Sequence, residues 1–246
     1  MDRMIYIAMT GAQQVMRAQA VNANNLANVN TTGFRAQFTA QQQLPVYGPV
    51  VPSRAYVEAR GTGIDLAPGT LVTTGRALDI AVDGEGFLAV QAPDGTEAYT
   101  RAGNLKVTET GQLVTANGHP VLGDGGPIAI PPFQKLEIGA DGSISIIPLG
   151  QNATTMAVVE RIRLVSPDPG ILQKNEFGLL SPMDGSTAPA DASIRVVTGV
   201  LETSNVDAVG AMTRMIDLAR QYEMQVKMMK TAKENDAAAA QLLKAQ

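Results

Sequence analysis

Residues 4–28 read MIYIAMTGAQQVMRAQAVNANNLAN. Ile5, Met9, Ala12, Met16, Gln19, Ala23 and Leu26 follow one another at alternating steps of four and three residues. Gln19 apart, this is the apolar seam of a helix that packs against another helix. The spacing predicts one helix from Met4 to about Asn28. The stop lies in Asn28-Val29-Asn30-Thr31-Thr32-Gly33, where Asn and Thr favour capping and turn conformations and Gly33 accepts a positive φ.

Working outward, the far end of the chain carries the same pattern. From about Asn205, a second seam runs through Met212, Met215, Ala219, Tyr222, Val226 and Met229. Lys233 and Asp236 interrupt it, and Ala240 and Leu243 resume it, so the last turns are expected to pack less firmly. Ile216, Met224 and Met228 widen the apolar face. Ser204 or Asn205 is the expected N-cap, with Asp207 in the first turn where a carboxylate complements the helix dipole.

Between these ends the period changes. Leu78–Val82, Phe87–Val90 and Ser143–Ile146 are short runs of strand character. Asp83-Gly84, Asp94-Gly95, Asn117-Gly118, Asp141-Gly142 and Asp184-Gly185 are pairs that fit the positive φ of tight turns. An antiparallel β domain is expected over roughly 75–199. The segment from Phe34 to Thr74, with four prolines and four glycines and no long period, reads as an extended connector. The fold class is therefore α+β, with long N- and C-terminal helices (1–33 and 200–246) pairing as a coiled coil around a mostly antiparallel β middle (75–199) and joined to it by the connector 34–74.

The 246 residues and 45% hydrophobic content are enough for a real core. A net charge of -4 with scattered Lys and Arg argues against a nucleic-acid partner. Zero cysteines exclude disulfides, thiolate metal sites and cysteine nucleophiles. No apolar run reaches the roughly 18 residues that a membrane span needs, and the first residues, with Asp2 early and Thr10 to Gln14 ending the apolar run, do not read as a secretory leader.

Chemistry is hard to place. Gly84-Glu85-Gly86-Phe87-Leu88-Ala89 matches a dinucleotide fingerprint, yet strand residues follow where that motif needs a helix. His119 is the single histidine and sits between Gly118 and Pro120, the setting of a turn residue. Asp79 and Asp83 lack the remaining positions of a calcium loop. A distant carboxylate pair for glycoside hydrolysis remains possible from sequence, but zero Trp leaves few flat faces for a sugar. Neither catalysis nor a cofactor is expected. The helical methionines fit a core better than an adaptable groove.

Six modest seam side chains do not offset the entropy of ordering a lone helix of this length, so the ends need partners. Small residues on other faces, among them Ala18, Ala20, Ala27 and Ala211, permit further helices to approach. A layer of helices from several subunits is expected.

Asn25-Leu26-Ala27-Asn28-Val29-Asn30-Thr31-Thr32-Gly33-Phe34-Arg35 resembles the signature that closes the first helix in the bacterial flagellar rod and hook proteins. Gly199 to Asp207, with Glu202, Ser204, Asn205 and Val206, and then Met212 to Ile216 and Tyr222-Glu223, resemble the approach to that family's last helix. Gly86-Phe87-Leu88, Tyr99 to Asn104 and Gly111 to Val114 resemble its β domain. Within the family, Met1-Asp2, Ile5-Tyr6, Ala8-Met9 and Gly11-Ala12 are similar to proximal-rod members; distal-rod members carry Lys in place of Arg35 and a longer insertion before the β domain.

The resemblance implies a structural subunit, exported unfolded by the flagellar type III apparatus without a cleaved leader. Its partners would be copies of itself and other proximal- and distal-rod subunits, in a rod that crosses the periplasm and transmits torque. No direct membrane insertion is implied. It singles out the two seams together with Asn25, Ala27, Asn28, Thr32, Gly33 and Phe34. A distal-rod subunit and an exported β-rich glycan-binding or hydrolytic protein are the alternative readings.

Overall fold

The computed structural model describes residues 4–45, 55–150 and 156–244, and their side chains except at 41–62, 239 and 242–244. Met1 and Asp2 lie outside the described residues, as does the side chain of Leu243. The fold is α+β, with a helix near each end and antiparallel strand pairings between them. The chain divides into two compact units.

The first unit contains helix α1 (Met4–Ala27), strands β1 (Gln37–Pro45) and β2 (Ala55–Ile64), and helix α2 (Ala208–Lys244). The two helices run antiparallel. Asn22 of α1 meets Ala211 near the start of α2, whereas Gly11 meets Gln225 further along it. At 1.5 Å per residue α2 is about 55 Å long. Its N-cap is Asp207, not Ser204 or Asn205: Oδ1 accepts from Val209 N–H at 3.1 Å and Oδ2 from Gly210 N–H at 3.1 Å. The carboxylate reaches two of the orphan donors of the first turn, whereas the Ser204 hydroxyl is bonded to Val206 N–H.

The expected extended connector is not what the structure holds. β1 and β2 pair antiparallel over their full lengths, with a bulge between Ala40 and Gln41, and belong with the helices. The Asn25 side chain fastens the start of this pair to α1: its Oδ1 accepts from Gln37 N–H at 2.9 Å and its Nδ2 donates to Gln37 O at 2.7 Å.

The second unit comprises Asn28–Ala36 and Leu66–Val206. Its strands β3 (Leu71–Thr73), β4 (Ile80–Asp83), β5 (Phe87–Gln91) and β6 (Glu97–Thr100) begin a set of small antiparallel sheets. β3 pairs with Val200–Glu202 and β4 with Arg195–Thr198. β5 is flanked by Leu164–Val165 and β6, and Phe133–Ile138, Ser143–Pro148 and Ala157–Arg161 form a three-stranded sheet. Ile80, Leu88, Val90, Leu105, Leu113, Val121, Ile128 and Ile144 form one fully buried core.

All five expected turn glycines adopt positive φ. Asp94-Gly95 and Asp141-Gly142 join paired strands, whereas Asp83-Gly84 and Asp184-Gly185 turn the chain between strands that do not pair. Asp94, Asp141, Asp184 and Asp191 each accept from the N–H and the hydroxyl of the Ser or Thr two residues on. Those hydroxyl bonds, together with the N–H bonds, hold the four carboxyls below their ordinary pKa.

Candidate assembly surface

The structure splits each expected seam lengthwise. On α1, Ala12 is buried and Ile5 and Leu26 half-buried, but Met9 and Met16 are 42% and 55% exposed and Ala23 is exposed. The buried positions are Ala8, Ala12, Val15, Asn22 and Asn25, with Gln14 beside them. The covered face is therefore turned from the expected seam by roughly a quarter of the helix circumference. On α2, Met215, Ala219 and Met229 are half-buried and Tyr222 is 36% exposed, while Met212 and Val226 stand at 54% and 42%. Ala211 and Ala232 are the fully covered positions, so the inward stripe continues where Lys233 had marked a break. Ala240 is exposed.

What remains outside is a second ordered stripe. Tyr6, Met9, Gln13, Met16, Ala20, Ala23 and Ala27 alternate by three and four residues along α1, and every one is exposed. Val209, Met212, Ile216 and Val226 make the counterpart on α2. Two outward apolar stripes at helix-packing spacing are surfaces suited to further helices.

The signature residues from Asn28 onward do a different job, inside the second unit. Gly33 donates its N–H to Glu202 O at 2.8 Å, with φ of 67°. Phe34 is buried beneath the Lys174 ammonium, which sits 3.4 Å from the ring centroid. Arg35 Nη2 lies 2.6 Å from Glu202 Oε1, and Arg101 Nη1 lies 3.1 Å from Glu202 Oε2. Gly69 N–H adds a third donor to that carboxylate at 2.8 Å. Arg101 also donates to Gly84 O and Val82 O and lies over the Phe87 ring. Burial lowers the Arg101 pKa, and Glu202 opposes that shift.

Asn205 extends the knot: its Oδ1 accepts from Ala36 N–H at 2.8 Å, its N–H donates to Phe34 O, and its Nδ2 donates to Ala67 O. Asn28 accepts from the Thr31 N–H and hydroxyl, closing the turn after α1, and Thr32 is half-buried in that turn. Ala27 is exposed and Val206 half-buried. Motif resemblance singles out Gly33, Phe34, Glu202 and Asn205; Arg101 lies inside the resembling stretch Tyr99 to Asn104 without being singled out, and Lys174 and Asn22 lie in no such stretch. Glu202 lies 101 residues from Arg101, Arg35 lies 139 from Lys174 and Ala211 lies 189 from Asn22, and no local pattern marks such meetings.

A cleft of about 710 Å³ in the second unit is lined by apolar residues including Leu66, Leu71, Phe87 and Pro167, with Arg101 and Glu202 in its wall. Both of those groups are engaged with each other. Gly84 and Gly86 lead into strand β5, so the glycine fingerprint has no helix to serve. Asp79 is ion-paired with Arg76. The His119 carbonyl accepts from Thr115 N–H in a turn, and burial lowers the imidazole's pKa. Among the described residues no cluster of three or more His, Asp or Glu fits a metal ion, and no helix is long and apolar enough to cross a membrane.

The stretches that carry these features match known families. Residues 5–35 match a model described as flagella basal body rod protein, 81–146 the flagellar hook protein FlgE/F/G D1 domain, and 197–242 the flagellar basal body rod FlgEFG protein C-terminal region. The chain is 46% identical over 249 residues to the flagellar basal-body rod protein FlgF of Salmonella typhimurium, with 99% of each chain covered. The chain belongs to the FlgF family of flagellar basal-body rod proteins. The FlgF protein of Escherichia coli is 45% identical over the same share of both chains. The FlgG protein of Bacillus subtilis is 32% identical over 95% of this chain and 96% of its own. The proximal-rod reading of the sequence thus falls on the FlgF side of the family.

Proposed function

We propose that this chain is a structural subunit of the proximal rod of the flagellar basal body, and that it polymerises through the outer stripes of α1 and α2. It works by packing rather than by catalysis. The observation that carries this reading is the pair of outward apolar stripes, because a monomer in water gains nothing from Tyr6, Met9, Met16, Val209, Met212 and Ile216 set at helix-packing spacing. Neighbouring copies and other rod subunits supply the facing helices, as coiled-coil-like contacts across subunits. The second unit is tied together around Glu202. The resulting helical shaft spans the periplasm and carries torque, and the subunit reaches it through the flagellar type III apparatus.

Met16→Asp and Val226→Asp test this. Both positions are exposed, so the free subunit should keep its stability to within about 0.5 kcal/mol. Packed between subunits, the same carboxylates cost several kcal/mol each, and incorporation into basal bodies and motility should be lost. Normal rod incorporation of both variants removes the stripes from the mechanism.

A further inference from the structure

The buried apolar side chains of the two helices are small, Ala8, Ala12 and Val15 on α1 and Ala211 and Ala232 on α2, and Gly11 lies against Gln225. Small side chains let two helices approach closely but interlock less than large ones, so they set a register weakly. One side chain is different. Asn22 is 4% exposed, and its Nδ2 donates to Ala211 O at 2.7 Å.

We infer that Asn22 is the residue that fixes the register of α1 against α2. The bond is directional and buried. Satisfying it favours one alignment, and a slipped alignment leaves a buried amide without its acceptor. The acceptor is placed where it can be reached, since Ala208, Gly210 and Ala211 leave the first turn of α2 nearly bare of side chains. Seven residues later the corresponding positions are Met215, Asp217 and Leu218, which are bulkier. Asn25, the other buried Asn of α1, binds Gln37 of β1 and so constrains the strand pair rather than α2. Register matters to the proposed assembly, on which this inference rests in that one respect, because it decides which residues of the two outer stripes stand side by side.

The absence of cysteine gives a clean test. In the full-length free chain, Gly11→Cys with Gln225→Cys reports the observed register, and Gly11→Cys with Leu218→Cys or Ala232→Cys reports slips of one heptad either way. Intramolecular disulfide yields, separated by size from linked dimers, should favour the 11–225 pair by about tenfold with Asn22 present. Adding Asn22→Leu should bring the slipped pairs to comparable yield while thermal stability holds or rises. Asn22→Ala should do the same without overpacking. Equal yields for all three pairs with Asn22 intact, or an undiminished preference in both variants, would overturn the inference. Because the cross-links read pairing within one chain, either failure leaves the rod reading to its own test.

Discussion

The Glu202 carboxylate and the Arg35 guanidinium, 167 residues apart along the chain, meet at 2.6 Å with their side chains 1% and 2% exposed. Arg101 closes the group from the other side. An acid this well enclosed answers two cations and the Gly69 N–H at once. Glu202→Ala therefore leaves two buried guanidiniums uncompensated and should destabilise the protein by about 3–5 kcal/mol. Urea or thermal denaturation of the purified chain reads this directly, and a loss under about 1 kcal/mol would show that the triad contributes little to holding the second unit together.

Gly33→Ala should be comparably damaging. The position has φ of 67°, and a Cβ there would fall 2.2 Å from the Arg101 carbonyl carbon. Strain alone costs about 1–2 kcal/mol, and the backbone contact adds more because neither side can rotate away. Gly33→Asn separates the two causes: Asn tolerates positive φ, so if the close approach dominates, the Asn variant loses as much stability as Ala.

These residues show what was legible in the chain and what was not. The helices, the β middle and the turn pairs follow from local spacing and local φ preference, and Gly33 and Glu202 follow from motif. The apolar spacing in sequence runs through the larger side chains, Met9, Met16, Met212 and Val226, whereas Ala8, Val15, Asn22 and Ala211 are the ones that become buried. Periodicity reports that a stripe is apolar; it does not report which helix the stripe is for. The β1–β2 pair escaped notice because Gln41-Gln42-Gln43 and the nearby prolines and glycines give no alternation to read.

The Lys174 ammonium predicts a pH dependence. Burial lowers its pKa to about 8. With the folded pKa below the unfolded value, the unfolded chain binds more protons between about pH 8 and 10, so this residue makes stability rise with pH across that window. Lys174→Met should flatten that component of the slope relative to the parent chain. Parallel stability curves for the two from pH 7.5 to 10 would contradict it.

Amide exchange should separate the two units. In the free subunit, α1 and α2, held by small seam residues, should exchange faster than β5 or Ser143–Pro148 in the buried core. On incorporation into the rod, both helices should become protected. Helices as slow as β5 in the free chain would mean that intramolecular pairing alone stabilises them.

Asn22 and its acceptor Ala211 are separated by 189 residues of a 246-residue chain. The first unit takes its opening helix from the beginning of the sequence and its partner from the end, and the second waits on Glu202 for its buried counterion. During synthesis, α1 is thus made long before its mate. Local hairpins such as Phe133–Ile138 with Ser143–Pro148 are free to form early, but both units are completed late, and contacts this distant close slowly. The topology makes completion of the first unit depend on α2, the element that follows all its others along the chain.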